Sequence, residues 1–266
     1  MCAHGKLTKV GKVLWLGTAG VMVAGLLAAR LEAQSYVLSQ NGTTVGSAEL
    51  KIDRQGGGFA FDSKANVKMP QLDYEFHEQE ALDGSYHLQH VTLDGKVNGT
   101  GAKVETAAQG QQFLMNIDAN GQAIHTPLAL HSRAVFMPDF DPAGLQVMLY
   151  LGAAHNNAGL WALIPKQSGS ADAMLIMTDA PMQGTLDGRQ IAVNHYTITY
   201  DATKMEVFSG PANELLQTEW TSEGFALARK GFVLTPPKRP GAPPPRPAQP
   251  VQPQGQQQPG QAPQPQ

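Results

Sequence analysis

Cysteine is all but missing: among 266 residues the single thiol is Cys2, which stands ahead of the first apolar run. The body of the chain therefore has no disulfide, no thiolate metal ligand and no cysteine nucleophile. A lipid-bearing cysteine would have to follow the apolar run, so a lipoprotein anchor is excluded as well. Catalytic signatures are missing too. No HExxH, GxSxG, SxxK or Walker-type stretch occurs, and the enzyme classes that carry those local motifs drop out. Stability must come from a core, and about 200 patterned residues are enough to bury one.

What is present divides the chain into three parts. Lys6, Lys9 and Lys12 precede an apolar run from Val13 to Ala29, and Leu31-Glu32-Ala33 follows as a small-residue processing site. Residues 1–33 thus read as a secretory signal peptide. The alternative is an uncleaved anchor, but the run is short for a span and diluted by Gly17, Gly20 and Gly25. A periplasmic or secreted bacterial protein with no stable membrane span after cleavage is expected. From Thr235 the composition turns to Pro, Gln, Gly and Ala. Residues 235–266 cannot bury enough apolar surface to offset their chain entropy, so a disordered tail is expected. The formal charge of −3 is the sum of +3 over residues 1–33, +3 over the tail and −9 over the body, residues 34–234. An acidic body argues against nucleic acid or an anionic lipid face as partner.

The body reads as an antiparallel β domain. Asn41-Gly42, Asp83-Gly84, Asp94-Gly95, Asn98-Gly99, Asn120-Gly121 and Asp187-Gly188 are dipeptides that tolerate the positive φ of tight hairpin turns. Between them apolar residues alternate with polar ones, as in Ala48, Leu50 and Ile52 or Leu72, Tyr74 and Phe76. Residues 99–110 are polar and small, a strand or strand pair with little core contact. Ile191, Val193 and His195 alternate in one phase and Tyr196, Ile198 and Tyr200 in the other, which implies a bulge or a strand that changes its buried face.

One stretch, Phe136 to Pro165, breaks the pattern. Asp141 followed by Pro142 is a helix start, because Asp accepts first-turn N–H groups and proline loses nothing at the first helical position. Leu145, Met148, Leu149 and Tyr150 give an apolar face, with Gly152 as the expected stop. The fold class that follows is mainly β, a large curved antiparallel sheet, half-barrel or open barrel, packed on one short central helix.

Site residues are less legible. His87 and His90 lie three apart on a strand, on opposite faces, and His125 and His131 are roughly 20 Å apart if extended, so no metal site is expected from histidine spacing. Asp73, Glu75, Glu78 and Glu80 form the densest acidic run, and the shared parity of Asp73 and Glu75 reads as a solvated face. Methionine is abundant in the body and fills irregular gaps or adaptable binding surfaces. A cleft beside the helix lined by Met148, Leu149, Trp161, Met174 and Tyr196 would suit a lipid-like ligand.

Tyr36-Val37-Leu38, Asn41-Gly42, Val45-Gly46, the Asp141 helix, Glu219-Trp220 and the run Phe225 to Phe232 resemble a broad group of uncharacterised exported bacterial β-proteins. The group has no settled activity, so the resemblance implies fold and compartment alone. A sheet clasping helices is also remotely similar to the half-barrel of periplasmic lipoprotein carriers, which cover their concave face with several helices where this chain has one. The expected function is a non-enzymatic exported protein that binds an apolar ligand or an envelope component, without a cofactor. The alternatives are a structural or assembly factor acting through its acidic sheet face or its tail, and a hydrolase using carboxylates such as Asp139 with Asp73.

Overall fold

The computed structural model describes residues 33–166 and 168–236. The leader and the tail, apart from their inner ends, lie outside these residues. An N-terminal meander contains β1 (Gln34–Gln40), β2 (Thr43–Gln55), β3 (Gly58–Met69), β4 (Leu72–Leu82), β5 (Leu88–Val97), β6 (Thr100–Gln109), β7 (Gln112–Ala119) and β8 (Gln122–Ala129). A middle segment follows, with β9 (Ala134–Phe136), α1 (Pro142–Ala154), β10 (Trp161–Ile164), β11 (Ser170–Ala173) and β12 (Leu175–Thr178). The chain ends in β13 (Met182–Leu186), β14 (Arg189–Tyr200), β15 (Thr203–Ser209), β16 (Leu215–Trp220), β17 (Phe225–Arg229) and β18 (Phe232–Thr235).

The two meanders are joined through β1, which pairs antiparallel with β2 on one side and with β17 on the other. The result is one 15-stranded sheet running from β18 to β8, and it does not close. The middle segment folds inside it as α1 and a three-stranded sheet of β9, β10 and β11, in which β9 and β10 are parallel. The large antiparallel sheet that stays open and, among the described residues, the one short helix are as the sequence implies.

Four of the six turn dipeptides make the expected tight turns, with both residues at positive φ: Asn41-Gly42, Asn98-Gly99, Asn120-Gly121 and Asp187-Gly188. Asp83 begins a longer loop, held by its carboxylate accepting from the N–H groups of Ser85 and His87. Asp94-Gly95 is no turn at all. Gly95 lies within β5, where a Cβ would come 2.8 Å from the carbonyl oxygen of Glu75. Glycine is needed there for close approach rather than for φ, and the dipeptide alone does not separate the two causes.

The helix starts as the sequence implies. Asp141 is the N-cap, its carboxylate accepting from the N–H groups of Ala143 and Gly144. The expected stop at Gly152 is displaced. The helix continues to Ala154, and Asn156 and Asn157, both at positive φ, turn the chain away. Nor is α1 amphipathic, since every residue from Pro142 to Leu149 is buried. A helix buried on all sides is a core element rather than a lid. Gln146, also buried, accepts from the Leu215 N–H and donates to the Asn213 carbonyl, which ties α1 to the start of β16.

The phase change in β14 has a concrete form. Ile198 and Tyr200 face the main core under the helix, while Val193 joins Phe208, Leu216 and Phe232 in a second, smaller core on the outer face. β14 itself keeps register with β15, and the irregularity lies in its other partner. Thr178 pairs with Tyr196 but Met182 pairs with Val193, so three residues, Asp179 to Pro181, stand opposite two. The bulge anticipated near His195 is in the neighbouring strand.

α1 packs tightly at Gly144, where a Cβ would fall 2.1 Å from the Phe136 carbonyl oxygen of β9. Alanine there gains about 1 kcal/mol in helix propensity, but forcing an atom into a filled site costs roughly 1–3 kcal/mol or more. Gly144→Ala is expected to lower the midpoint of chemical denaturation, and Gly101→Ala, with nothing within 4 Å of its Cβ position, is expected to leave it unchanged.

Candidate functional site

Two constellations stand out, one inside the sheet at the helix start and one on its outer face. The inner one comes from β4, whose inward residues are Phe76, Glu78, Glu80 and Leu82. Glu78 and Glu80 are 0% and 2% exposed. Across the sheet Glu78 lies between Ser63 and Leu93, and Glu80 between Phe61 and Val91. The Glu80 carboxyl oxygens have no hydrogen-bond partner among the described residues, and Glu78 lies beside the Asp141 carboxyl. The helix brings a third buried acid over this row, since Ser63 Oγ donates to Asp141 Oδ1 at 2.5 Å.

Environment separates the three acids. Burial pushes Glu78 and Glu80 well above the ordinary 4.5, and the nearby Asp141 carboxylate pushes them further. Burial also raises Asp141, but the N–H groups of Gly144 and Ala143 and the Ser63 hydroxyl oppose it. The negative charge of the group therefore resides at Asp141, against the positive end of the helix dipole.

A slot leads to Asp141 past Asp139, Phe140, Lys166, Tyr200 and Trp220, with a free volume of about 20 Å³. That is room for a single water molecule rather than a ligand. Phe140 at its mouth has φ +60°, an uncommon conformation for a bulky side chain, and its ring packs on Trp220 and Phe225 at 5.5 and 4.8 Å. Asp139 is paired with Lys166 at 2.7 Å. Asp73, its expected partner in a hydrolase, lies on the solvent face of β4. The solvated-face reading of the acidic run holds for Asp73 and Glu75 and fails for Glu78 and Glu80. The parity that they share with Phe76 and Leu82 was the available signal.

The outer constellation is a trough of about 840 Å³ across β2 to β7. One cross-strand row of its walls runs Glu49, Lys64, His77, Asp94, Lys103 and Asp118, a near alternation of charge sign fixed by the strand register. Lys103 pairs with Asp94 at 3.0 Å and Lys96 with Glu75 at 2.9 Å. Glu49, Lys64 and Asp118 make no ion pair among the described residues. Gly101, where nothing lies within 4 Å of a Cβ position, supplies no side chain to fill the trough.

The residues expected to line an apolar cleft are placed differently. Met148, Leu149 and Met174 are buried in the main core, with Tyr196 half-buried against it. Trp161 is half-buried and stacks on His131, ring centroids 3.7 Å apart. None of the five lines the trough or the slot. For metal binding, the three inner acids do not converge as donors would. Among the described residues, Asp179, His195 and Glu206 do.

The two buried glutamates have a measurable consequence. Above about pH 4.5 the unfolded chain gives up protons that folded Glu78 and Glu80 retain. Their contribution is thus complete below that pH and is lost as pH rises toward their folded pKa values. Relative to a Glu78→Gln/Glu80→Gln variant, the wild-type protein is expected to lose stability as pH rises from about 5 to about 8, by about 1.4 kcal/mol per pH unit for each glutamate that keeps its proton in the folded state. Denaturant titrations at both pH values check this, and parallel curves would refute it.

No family model matches the chain, and no curated protein does. Among solved structures, it is similar to a β-barrel-like protein of the domain of unknown function DUF1849 from Brucella abortus. The TM-score is 0.46 and the identity 9%, over 76% of this chain and 97% of that one. It is also similar to a DUF1089 family protein from Pseudomonas aeruginosa, with a TM-score of 0.37 and 10% identity over 66% of this chain and 90% of that one.

Proposed function

We propose that the chain is an exported bacterial binding protein that contacts an envelope partner through the outer face of its sheet. The observation that carries this reading is the trough, because it combines open volume with charges of both signs, among which Glu49, Lys64 and Asp118 make no ion pair among the described residues. Such a surface recognises a polar segment bearing both charges, by steering and by register of opposite signs. Six strands about 4.8 Å apart span roughly 24 Å, the length of about seven extended residues. An apolar ligand is a weaker reading, since it would have to displace Met148, Leu149 and Met174 from a packed core.

A labelled mixed Lys/Glu peptide of about seven residues is the probe. The mature protein should bind it saturably at low ionic strength and lose it near 1 M salt, where screening acts within about 3 Å. Reversing two of the charges outside these ion pairs, Lys64→Glu with Asp118→Lys, should weaken binding about tenfold. Binding that ignores both changes, or saturable uptake of a fluorescent fatty acid with no peptide binding, would overturn the proposal.

A further inference from the structure

On the outer face of β14, away from the trough, the bulge assembles a group whose residues are far apart in sequence. Three residues, Asp179 to Pro181, crowd opposite Asn194 and His195, and the Asp179 N–H donates to the His195 carbonyl at 2.9 Å. This bond holds Asp179 over the sheet beside His195. Thr197 lies directly opposite Glu206, and His195 directly opposite Phe208. The His195 and Phe208 rings stack at 4.6 Å with 9° between planes, which fixes the direction of the imidazole. Its Nε2 then lies 2.6 Å from Glu206 Oε2 and 4.0 Å from Asp179 Oδ2. All three donor atoms fall within 4.8 Å of one another.

The arrangement leaves two carboxylates under-served. Thr197 is 7% exposed, and its hydroxyl lies 2.7 Å from Asp179 Oδ2 and 3.2 Å from Glu206 Oε2. A hydroxyl has one proton, so it serves one acid at a time. Among the described residues, His195 is the other side chain that can bring a proton to the pair, and no lysine or arginine forms an ion pair with either acid. Two anions converging on one imidazole nitrogen, held by a bulge, a stacked ring and a buried hydroxyl, match the needs of a divalent ion.

We propose that Asp179, His195 and Glu206 form a divalent transition-metal site. One imidazole nitrogen with two carboxylate oxygens suits zinc or manganese rather than the all-oxygen shells of calcium and magnesium. On binding, the His195–Glu206 hydrogen bond is replaced by two metal bonds. The metal needs the Nε2 lone pair, so an imidazolium ring releases its Nε2 proton to solvent and a neutral ring that carries its proton on Nε2 exchanges it through solvent to Nδ1. Thr197 orients the carboxylates from below, the supporting role that outer groups play at metal sites. Side-chain exposures of 20% for His195, 37% for Asp179 and 22% for Glu206 leave an approach for the ion. Three protein donors leave a further position for water. Beside the group, Leu175 and Met177 of β12 are 58% and 47% exposed on the same face, Met177 opposite Thr197. They form an apolar wall on one side of that position.

Zinc and, separately, manganese titrated calorimetrically into the chelator-treated mature protein near pH 7.5 test the proposal. One equivalent should bind saturably, raise the thermal melt, and shift the His195 imidazole resonances. Asp179→Asn keeps the shape of the side chain and should weaken binding at least about tenfold. His195→Gln should abolish binding, and because it also removes ring stacking, its melt without metal is measured beside it. His90→Gln, which alters an exposed histidine paired with Glu105, should change nothing. Binding that survives both site variants, that falls with His90→Gln instead, or that is absent for both metals would overturn the site.

Discussion

The contact on which the interior depends is the carboxylate of Asp141. A helix buried on every side cannot satisfy its first N–H groups with water, so they must find an acceptor within the protein. Asp141 supplies it and is held in turn by the Ser63 hydroxyl of β3. One side chain thus caps the helix, fixes its distance from the sheet and places a negative charge in the core. Glu78 and Glu80 lie under that charge, and their tendency to keep their protons follows from it and from burial. Neutral carboxylic acids tolerate the interior where carboxylates would not.

Much of this architecture was legible because local chemistry and tertiary context agreed. Asp141-Pro142 has one natural reading, and the Asn-Gly turns have one natural geometry. The failures fall where two physical causes leave the same trace. Gly95 looks like half of a turn but serves close backbone approach. Gly152 looks like a stop but lies inside the last turn, and the asparagines after it end the helix. Glu78 and Glu80 look solvated by composition, although their parity with Phe76 and Leu82 places them inside. Parity outweighs residue type there because the sheet register moves every side chain of β4 together. The change of phase at His195 and Tyr196 was visible, but the bulge behind it lies in another strand, and no single-strand pattern could place it.

The grouping of Asp179, His195 and Glu206 was illegible for a related reason. Spacing tests look for donors on one element, and these donors come from a bulge and two strands. The trough was hidden in the same way. Its charges look like ordinary outward residues of six strands, and only the registers align them into a row.

The filled interior sets the proposed contacts on the outer face of the sheet. A 13-residue helix and a three-stranded sheet pack against the inner side of the large sheet, and the slot that reaches Asp141 holds little more than a water molecule. Close-packed interiors accommodate a ligand only by expelling side chains, and Met148 or Leu149 could leave only with the loss of the helix contacts that Asp141 organises. The outer face carries no such constraint. A central strand there loses no backbone pairing to a ligand, and edge pairing is discouraged by Pro127 in β8, which has no N–H to offer. Recognition through side chains of the outer face, rather than through a cavity or a free edge, is the arrangement that this interior leaves open.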